Sequence, residues 1–213
     1  MLSPPTVQVL AAGIVVATLA GFILGHALPH APRSPSRVVA RRDPQRWTEI
    51  VWVGGALAMV FWQFAVLVVP VYAYHWPAAP DFPYSSAVQL LGFAVALAGG
   101  LLFFSAVRAL GRHMTPRIQV QEGHRLVQEG PYAYIRHPAY TAILTSAAGL
   151  SLLYLSPILA GLFVLLAGVA VYRAGLEEDL LSSPEAFGEA YREYVARTGR
   201  FLPRLRGRRR DGA

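Results

Sequence analysis

A group of polar and aromatic residues stands directly before a long apolar run, and its side chains could bind an anion. Arg136 and His137 precede Pro138, and the apolar run covers residues 140–155. Pro138 suits the first position of a helix, because its missing N–H would be unpaired there in any case, and it disfavours a helical conformation at His137. Arg136 and His137 would then lie beside free backbone N–H groups and the positive end of the helix dipole. The sequence thus predicts an anion-binding corner at a membrane surface.

Two further polar clusters are distant from this corner along the chain. One is Gly123-His124-Arg125-Leu126-Val127, and the other comprises Arg173, Glu177 and Glu178 after a second apolar run. If the two apolar runs form an antiparallel helical hairpin, the glutamates return to the level of the corner. Arginine, histidine and paired glutamates would then meet at the lipid boundary, where ionisable groups are costly unless they are used. This spacing predicts a functional site at one membrane face.

Each cluster also has a simpler interpretation. Arg173 and Glu177 are four residues apart and could form only an ion pair along one helix. The tyrosines around the corner could be an interfacial aromatic belt, and Arg136 could be one more positive charge that fixes the topology. His124 could be an ordinary loop residue. It is the convergence of the clusters that favours a site over these separate explanations.

The composition is typical of a membrane protein without thiol chemistry. Hydrophobic residues make up 54% of the chain and charged residues 15%, and several apolar stretches approach the roughly 18 residues that span a bilayer. Cysteine is absent, which excludes disulfides, a thiolate metal site and a cysteine nucleophile; no metal site is predicted. The net charge of +7 comes from arginines between and after the apolar runs, as in topology determinants. We therefore expect membrane lipids as partners and no nucleic acid.

The hydropathy pattern predicts an all-α polytopic membrane protein with five transmembrane helices. The predicted spans are residues 7–28, 48–74, 86–110, 140–155 and 158–172. The last two are short and predict a tight hairpin whose second arm begins at Pro157, although one long, broken helix is an alternative. The second span would kink near Pro70. The first could be a cleaved signal peptide, but residues 1–6 lack the basic charge of a secretory signal, which favours a retained helix.

The arginines predict the orientation of the chain. All 19 basic residues other than histidine are arginines, and they lie in or at the edges of residues 30–47, 108–137 and 173–213. With five spans, these segments share one side of the membrane. We therefore expect an integral protein of a cell inner membrane, with the N-terminus outside and with a C-terminal helix and the C-terminus in the cytosol. The basic tail, residues 206–213, would associate with anionic lipids.

The C-terminal half resembles the isoprenylcysteine carboxyl methyltransferase family. The resemblance covers about residues 108–205 and rests on the order and spacing of five features: the segment 123–127, Gly130-Pro131-Tyr132-Ala133-Tyr134-Ile135-Arg136-His137-Pro138-Ala139-Tyr140, Glu177-Glu178, Phe187-Gly188-Glu189-Ala190-Tyr191-Arg192-Glu193-Tyr194, and Pro203. Related membrane phospholipid methyltransferases share the pattern. The resemblance implies a methyltransferase core in residues 108–205, with a cytosolic connector, the hairpin and a C-terminal helix. Residues 1–107, with three transmembrane helices, would form the acceptor side.

The resemblance implies S-adenosylmethionine as the methyl donor, bound at the cytosolic face. By position, it places the adenosine near His124 and Leu126. It places the amino-acid end of the donor among Tyr132, Arg136, His137 and Tyr140. The pocket would be completed by Glu177 and Glu178. The catalytic residues implied are Arg136, Glu177 and Glu178.

The methyl acceptor is left open by the sequence, beyond its lipophilic or amphiphilic character. A carboxylate is already a nucleophile at neutral pH, whereas a lipid amine or a hydroxyl requires a base, for which Glu177, Glu178 and His137 are candidates. Oligomeric state is also open, since Gly92 and Gly99-Gly100 could allow close helix approach.

Two other functions are compatible with the same residues. Certain sterol reductases are similar in this region but bind a nicotinamide cofactor, and the 2′-phosphate of NADPH could be bound by Arg112, Arg117 and Arg125. A non-catalytic membrane partner that kept the fold is the other possibility. Binding of S-adenosylmethionine, of NADPH or of neither would distinguish the three.

Overall fold

The protein is a bundle of helices with one small sheet at the end that carries the site. The computed structural model describes residues 1–27, 37–69, 82–113 and 117–204. Within them, the helices are α1 (Pro4–Ala27), α2 (Arg46–Val68), α3 (Ser85–Leu110), α4 (Pro138–Leu153), α5 (Pro157–Leu181) and α6 (Glu189–Arg197). The strands are β1 (Val38–Arg41) and β2 (Gln119–Gln121), and single 3₁₀ turns occupy Gly111–His113 and Gly130–Ala133. Pro70 and residues 206–213 lie outside the described residues.

Three of the described helices, α2, α3 and α5, are long and apolar enough to cross a membrane. The apolar part of α1 that the structure describes, Pro4–Ala20, and the helix α4 are shorter. Large apolar side chains point outward from the long helices, among them Phe61, Leu101 and Val164. Outward-facing apolar side chains on long helices are what a lipid environment selects.

Glycines bring α3 and α4 into direct backbone contact. A Cβ at Gly92 would overlap the backbone of Leu153, and one at Gly149 would overlap the backbone of Ala96. Gly99 likewise has no room for a Cβ, whereas the neighbouring Gly100 faces open space. Small residues of this kind let membrane helices approach closely. Gly92 and Gly99 therefore serve the packing of α3 against α4 within this chain.

Buried polar side chains connect the helices at the end of the bundle that carries the α4–α5 turn. Gln89 of α3 donates to the carbonyl of Leu153 at 2.9 Å, and its side-chain oxygen accepts from the backbone N–H of Leu2 at 2.8 Å. Gln63 of α2 accepts from the hydroxyl of Tyr154. These bonds satisfy groups that would be costly to bury alone. The start of the chain is thereby attached to α3.

The second arm after the turn is longer than the sequence predicted. Ser156 caps α5, which begins at Pro157 and continues to Leu181 rather than ending at residue 172. Its 25 residues correspond to about 37 Å at 1.5 Å per residue. The apolar run ends before Arg173, but no residue there breaks a helix. The two glutamates therefore lie on the same rigid helix as the apolar arm.

The two-stranded sheet is a departure from the all-α prediction. β1 pairs antiparallel with β2, and two more backbone bonds extend the pairing, from Arg42 to Ile118 and from Glu122 to Arg37, both at 2.9 Å. Ile118 and Val120 pack against Leu180 of α5. Strands of three or four residues carry no readable alternation, so their pairing depends on this tertiary contact. The sheet attaches the segment before α2 to the connector, the segment between α3 and α4.

Candidate active site

The Arg136-His137-Pro138 corner has the local geometry that the sequence predicts. Pro138 occupies the first turn of α4, and His137 is the N-cap with non-helical backbone angles (φ −121°, ψ 58°). The corner is also paired with the segment after α6. Arg136 N–H donates to the Gly199 carbonyl at 2.8 Å and His137 N–H to the Arg200 carbonyl at 3.1 Å. The end of the described chain is thus held beside the start of α4.

Glu178 is the centre of an ion-pair cluster. One of its oxygens accepts from Arg136 Nε at 2.9 Å and lies 3.1 Å from His137 Nε2. The other lies 3.1 Å from a terminal nitrogen of Arg200. These contacts connect α5, the corner and the segment after α6, which are remote in sequence. We call Arg136, His137, Glu178 and Arg200 the Glu178 cluster.

Arg136 also binds backbone carbonyls at the C-terminal end of α6. Its Nη1 donates to the carbonyl of Thr198 at 2.6 Å, and a longer contact of 3.4 Å reaches the carbonyl of Val195. The free carbonyls at the end of α6 thereby gain a cationic partner, which is favourable at a helix C-terminus. Arg136 is a structural element of the corner as well as a charge at its surface.

A cavity of about 110 Å³ opens beside this cluster. Six of the eight predicted donor-binding residues line it: His124, Leu126, Tyr132, Arg136, Tyr140 and Glu177. His137 and Glu178 do not line the cavity. Glu178 contacts the lining residue Arg136. His137 contacts Tyr140 and Glu177. The side chains of His137 and Glu178 are engaged in the Glu178 cluster, and their role in donor binding stays a prediction. Sites for small molecules usually measure about 300 Å³ or more, so a donor-sized ligand requires wall side chains to move.

The acidic side of the cavity is Glu177 with its neighbour Tyr140. The hydroxyl of Tyr140 is hydrogen-bonded to Glu177 and to Arg173 of α5. Arg173 is buried, with 3% of its surface exposed. Arg173 and Glu177 therefore form a three-residue network with Tyr140. Glu177 Oε2 is also 3.7 Å from His137 Nδ1. The Glu177 carboxylate remains at the cavity surface.

The floor of the cavity is aromatic and neutral. Tyr132 is buried, and burial together with the charge of Glu177 raises the pKa of its phenol. Burial raises the pKa of Tyr194 to about 12, so its hydroxyl stays protonated and donates to the carbonyl of Tyr132 at 2.6 Å. Tyr191 is likewise buried. Helix α6 thus supports the turn that carries Tyr132.

His124 forms a ring stack on the opposite wall. Its ring is parallel to that of His113, with the centroids 4.5 Å apart and an interplanar angle of 5°, and Phe187 meets it edge-on at 5.8 Å. Burial and the neighbouring His113 lower the pKa of His124 to about 4. The imidazole is therefore neutral at physiological pH and presents a flat, apolar face rather than a charge.

Sequence reasoning missed several residues of the cavity. They include His113, Ile118, Phe187, Tyr191 and Tyr194. Phe187, Tyr191 and Tyr194 belong to the motif quoted above. Their spacing of four and three residues could have indicated a buried face, although Phe187 precedes α6. His113 and Ile118 carried no signal, because only the stack and the sheet bring them to the site.

Comparison with known proteins shows which family this chain is similar to. Residues 90–183 match the family described as the isoprenylcysteine carboxyl methyltransferase (ICMT) family. Over this stretch the chain is similar to the ICMT family. The matched region begins within α3 and includes the corner and both glutamates, whereas the motif at 187–194 lies beyond it. With its long apolar helices, the chain is an integral membrane protein.

Individual relatives cover part of the chain. Protein-S-isoprenylcysteine O-methyltransferase B of Arabidopsis thaliana is 32% identical over 119 residues, which is 54% of this chain and 59% of the relative. The Protein-S-isoprenylcysteine O-methyltransferase of Homo sapiens is 29% identical over 134 residues, 62% of this chain and 46% of the relative. This chain thus spans about half the length of the curated relatives that it matches.

A solved structure shares the fold. It is the structure of the eukaryotic intramembrane Ras methyltransferase ICMT without a monobody. It superimposes with a TM-score of 0.52 at 22% identity, over 76% of this chain and 54% of that one. At this identity, the likeness concerns the fold alone.

Proposed function

We propose that this chain is an S-adenosylmethionine-dependent methyltransferase that esterifies the carboxylate of an S-isoprenylcysteine or a similar amphiphile. The observation that carries the proposal is the cavity in which Glu177, Arg136 and an aromatic floor meet. The names of the relatives favour a carboxylate over a lipid amine as acceptor. Activity, donor and acceptor are proposals for this chain, since it covers only part of those relatives.

The residues of the cavity fit the donor chemically. Glu177 would accept from the donor ammonium or ribose hydroxyls. The Glu178 cluster contains two guanidinium groups and one carboxylate, so Arg136 presents a net positive charge to the donor carboxylate. The parallel rings of His124 and His113 offer a flat surface for a purine. Arg136 and Glu177 would thus touch the donor, whereas Glu178 would position Arg136.

The proposed reaction needs little acid–base chemistry. S-adenosylmethionine supplies an electrophilic methyl group on a sulfonium, which passes to a carboxylate oxygen while the C–S bond electrons return to sulfur. A carboxylate acceptor is already ionised, so no proton moves and no general base is needed. Glu178, engaged by two arginines and His137, is unsuited to act as one. The protein contributes proximity and alignment.

We also propose the membrane arrangement of the chain. Five spans, with α1 and the α4–α5 hairpin crossing as well, would place the arginine-rich segments and the cavity on the cytosolic side of the inner membrane. The N-terminus would then be outside. Residues 1–107 would contact the acceptor, and residues 108–205 would form the methyltransferase core. The polar donor would enter from the cytosol, and the lipophilic acceptor from the bilayer.

One observation favours a second candidate. Arg117 and Arg125 line the cavity, as a reductase that binds the 2′-phosphate of NADPH would require. Arg125 is, however, also 3.2 Å from Glu129 on the surface. The side chain of Arg112 lies outside the described residues. The methyltransferase proposal is supported by the family match as well.

Calorimetric titration of the purified protein with S-adenosylmethionine and with NADPH tests the donor. We expect saturable binding of S-adenosylmethionine that is weakened at least tenfold in Glu177→Gln, because about 1.4 kcal/mol of a charge-assisted bond corresponds to that factor. Glu189→Gln is the control, since Glu189 is exposed and pairs only locally with Arg192. Binding of NADPH and not of S-adenosylmethionine would favour the reductase.

A further inference from the structure

An aromatic pair connects the donor-side cavity to the helix that faces the bilayer. Trp52 of α2 meets Tyr140 of α4 edge to face, with the ring centroids 5.0 Å apart. Tyr140 lines the cavity and Trp52 does not. The Tyr140 ring therefore stands between the cavity and Trp52.

The two helices that carry this pair have little direct backbone packing against each other. Helix α2 packs on α1 and α5, whereas α4 packs mainly on α3 and α5. The side chains of Trp52 and Tyr140 bridge the interval between α2 and α4. An interval filled by side chains can be widened by rotamer changes, without displacing a packed helix pair.

The position of Trp52 on α2 is fixed by the next turn. Gly55, three residues later and on the same face, packs closely on α5, since a Cβ there would lie 2.9 Å from the end of the Leu166 side chain. Trp52 is one turn closer to the cavity end than this contact, and it is half-buried. Its neighbour Val53 is exposed on the outward side. Trp52 thus lies at the border between the outward-facing side of α2 and the side that packs in the bundle.

Tyr140 is the less movable of the two rings. Its hydroxyl is bonded to Glu177 and Arg173, and its ring also contacts His137, with the centroids 5.5 Å apart. A chain that enters between α2 and α4 would therefore pass Trp52 and leave Tyr140 in place.

We propose that Trp52 is the specificity-determining residue for the lipid chain of the acceptor. Resting on the proposed function, this inference assigns the α2–α4 interval as the route of the isoprenyl chain. The Trp52 ring contacts the chain, and the reacting carboxylate meets the cavity at Tyr140. The size of residue 52 then sets which chain length is aligned for transfer.

The test compares Trp52→Ala and Trp52→Phe with Trp47→Ala. Trp47 is the matched control, because it lies on the same helix with 53% of its surface exposed and its indole bonds locally to Gln45. The probes are the N-acetyl-S-geranyl, S-farnesyl and S-geranylgeranyl derivatives of cysteine. For each protein we would measure direct binding of every probe, kcat and KM for methyl transfer, and the Kd of S-adenosylmethionine.

We expect Trp52→Ala to change the ratio of kcat/KM between the longest and shortest probe by about tenfold or more, as pocket-size changes do. Trp52→Phe should fall between Trp52→Ala and the wild type. The Kd of S-adenosylmethionine should stay within about twofold, and Trp47→Ala should keep the wild-type ratio. A ratio unchanged in Trp52→Ala, or equal losses of donor and acceptor binding, overturns the inference.

The outcome also separates this inference from the proposed function. If the wild type binds S-adenosylmethionine but methylates none of the probes, the proposed acceptor is wrong. The role of Trp52 is then decided by probe binding alone. Equal chain-length preferences in the wild type and Trp52→Ala, or no binding of any probe by the wild type, would refute it.

Discussion

Glu178 binds Arg136 through its Nε at 2.9 Å, and this contact joins helix α5 to the corner at the start of α4. The two side chains are largely buried, with 20% and 10% of their surfaces exposed. The same carboxylate also holds Arg200 after α6. Glu178 is therefore a positioning residue for Arg136, and Glu177, its neighbour in sequence, is the carboxylate at the cavity.

Glu178→Gln should destabilise the protein and also weaken donor binding. Removing one partner of a buried charge pair leaves uncompensated charge, which costs about 3 kcal/mol. Two arginines would lose their carboxylate at once, and Arg136 would no longer be fixed at the cavity. Thermal unfolding in detergent should show a clearly lowered Tm. In Glu189→Gln, whose exposed pair contributes at most about 1 kcal/mol, Tm should hardly change. Equal Tm values for the two variants would contradict the role of the Glu178 cluster.

Alanine substitutions at two adjacent glycines of α3 should have different effects on Tm. A Cβ at Gly99 would lie 2.6 Å from the backbone nitrogen of Ser146 and force α3 and α4 apart, whereas a Cβ at Gly100 meets nothing within 4 Å. We expect Gly99→Ala to lower Tm. Gly100→Ala should leave Tm unchanged or raise it, because alanine is favoured in helices by about 0.5–1 kcal/mol. A tolerated Gly99→Ala would show that α3 and α4 are not in backbone contact.

The stability of the connector should decrease in mild acid because of His124. Its pKa is lowered to about 4 in the folded protein from the ordinary 6.5, so the unfolded chain binds more protons between these values. Stability that is present above pH 6.5 is therefore lost progressively as the pH falls to about 4. His124→Phe keeps a flat ring without a titrating group. Its Tm should fall less than that of the wild type between pH 7 and pH 5, and parallel curves would refute this.

The small sheet should influence donor binding although it contains no predicted site residue. Arg42 donates its backbone N–H to Ile118, which lines the cavity. Arg42→Pro removes this donor, whereas Arg42→Ala keeps it. We expect only the proline variant to weaken S-adenosylmethionine binding severalfold in calorimetry. Equal affinities would mean that β1 has no effect on the cavity wall.

Local rules predicted the corner well, because Pro138 determines both the start of α4 and the conformation of His137. Hydropathy placed α3 within one residue of its observed start and ended at the observed Leu110. It ended the second hairpin arm too early, because a charge at Arg173 ends an apolar run without ending a helix. The five-span count, the orientation and the division into acceptor and core segments stay predictions.

Tertiary contacts determine the features of the site that could not be predicted from the sequence. The role of Glu178 depends on Arg200, which is brought to it by the pairing of the corner with Gly199. The His113–His124 stack joins two loop residues with no motif in common. Trp52 had no signature in a span of apolar residues, and only its contact with Tyr140 relates it to the cavity.

The most direct test of the central claim is transfer of a labelled methyl group. The purified protein, in nanodiscs, would be incubated with methyl-labelled S-adenosylmethionine and N-acetyl-S-farnesylcysteine, and the product treated with base. We expect label in a base-labile methyl ester, released as methanol, with turnover strongly reduced in Glu177→Gln and retained in Glu189→Gln. No labelled ester from wild-type protein that binds both compounds would contradict the proposed methyl transfer.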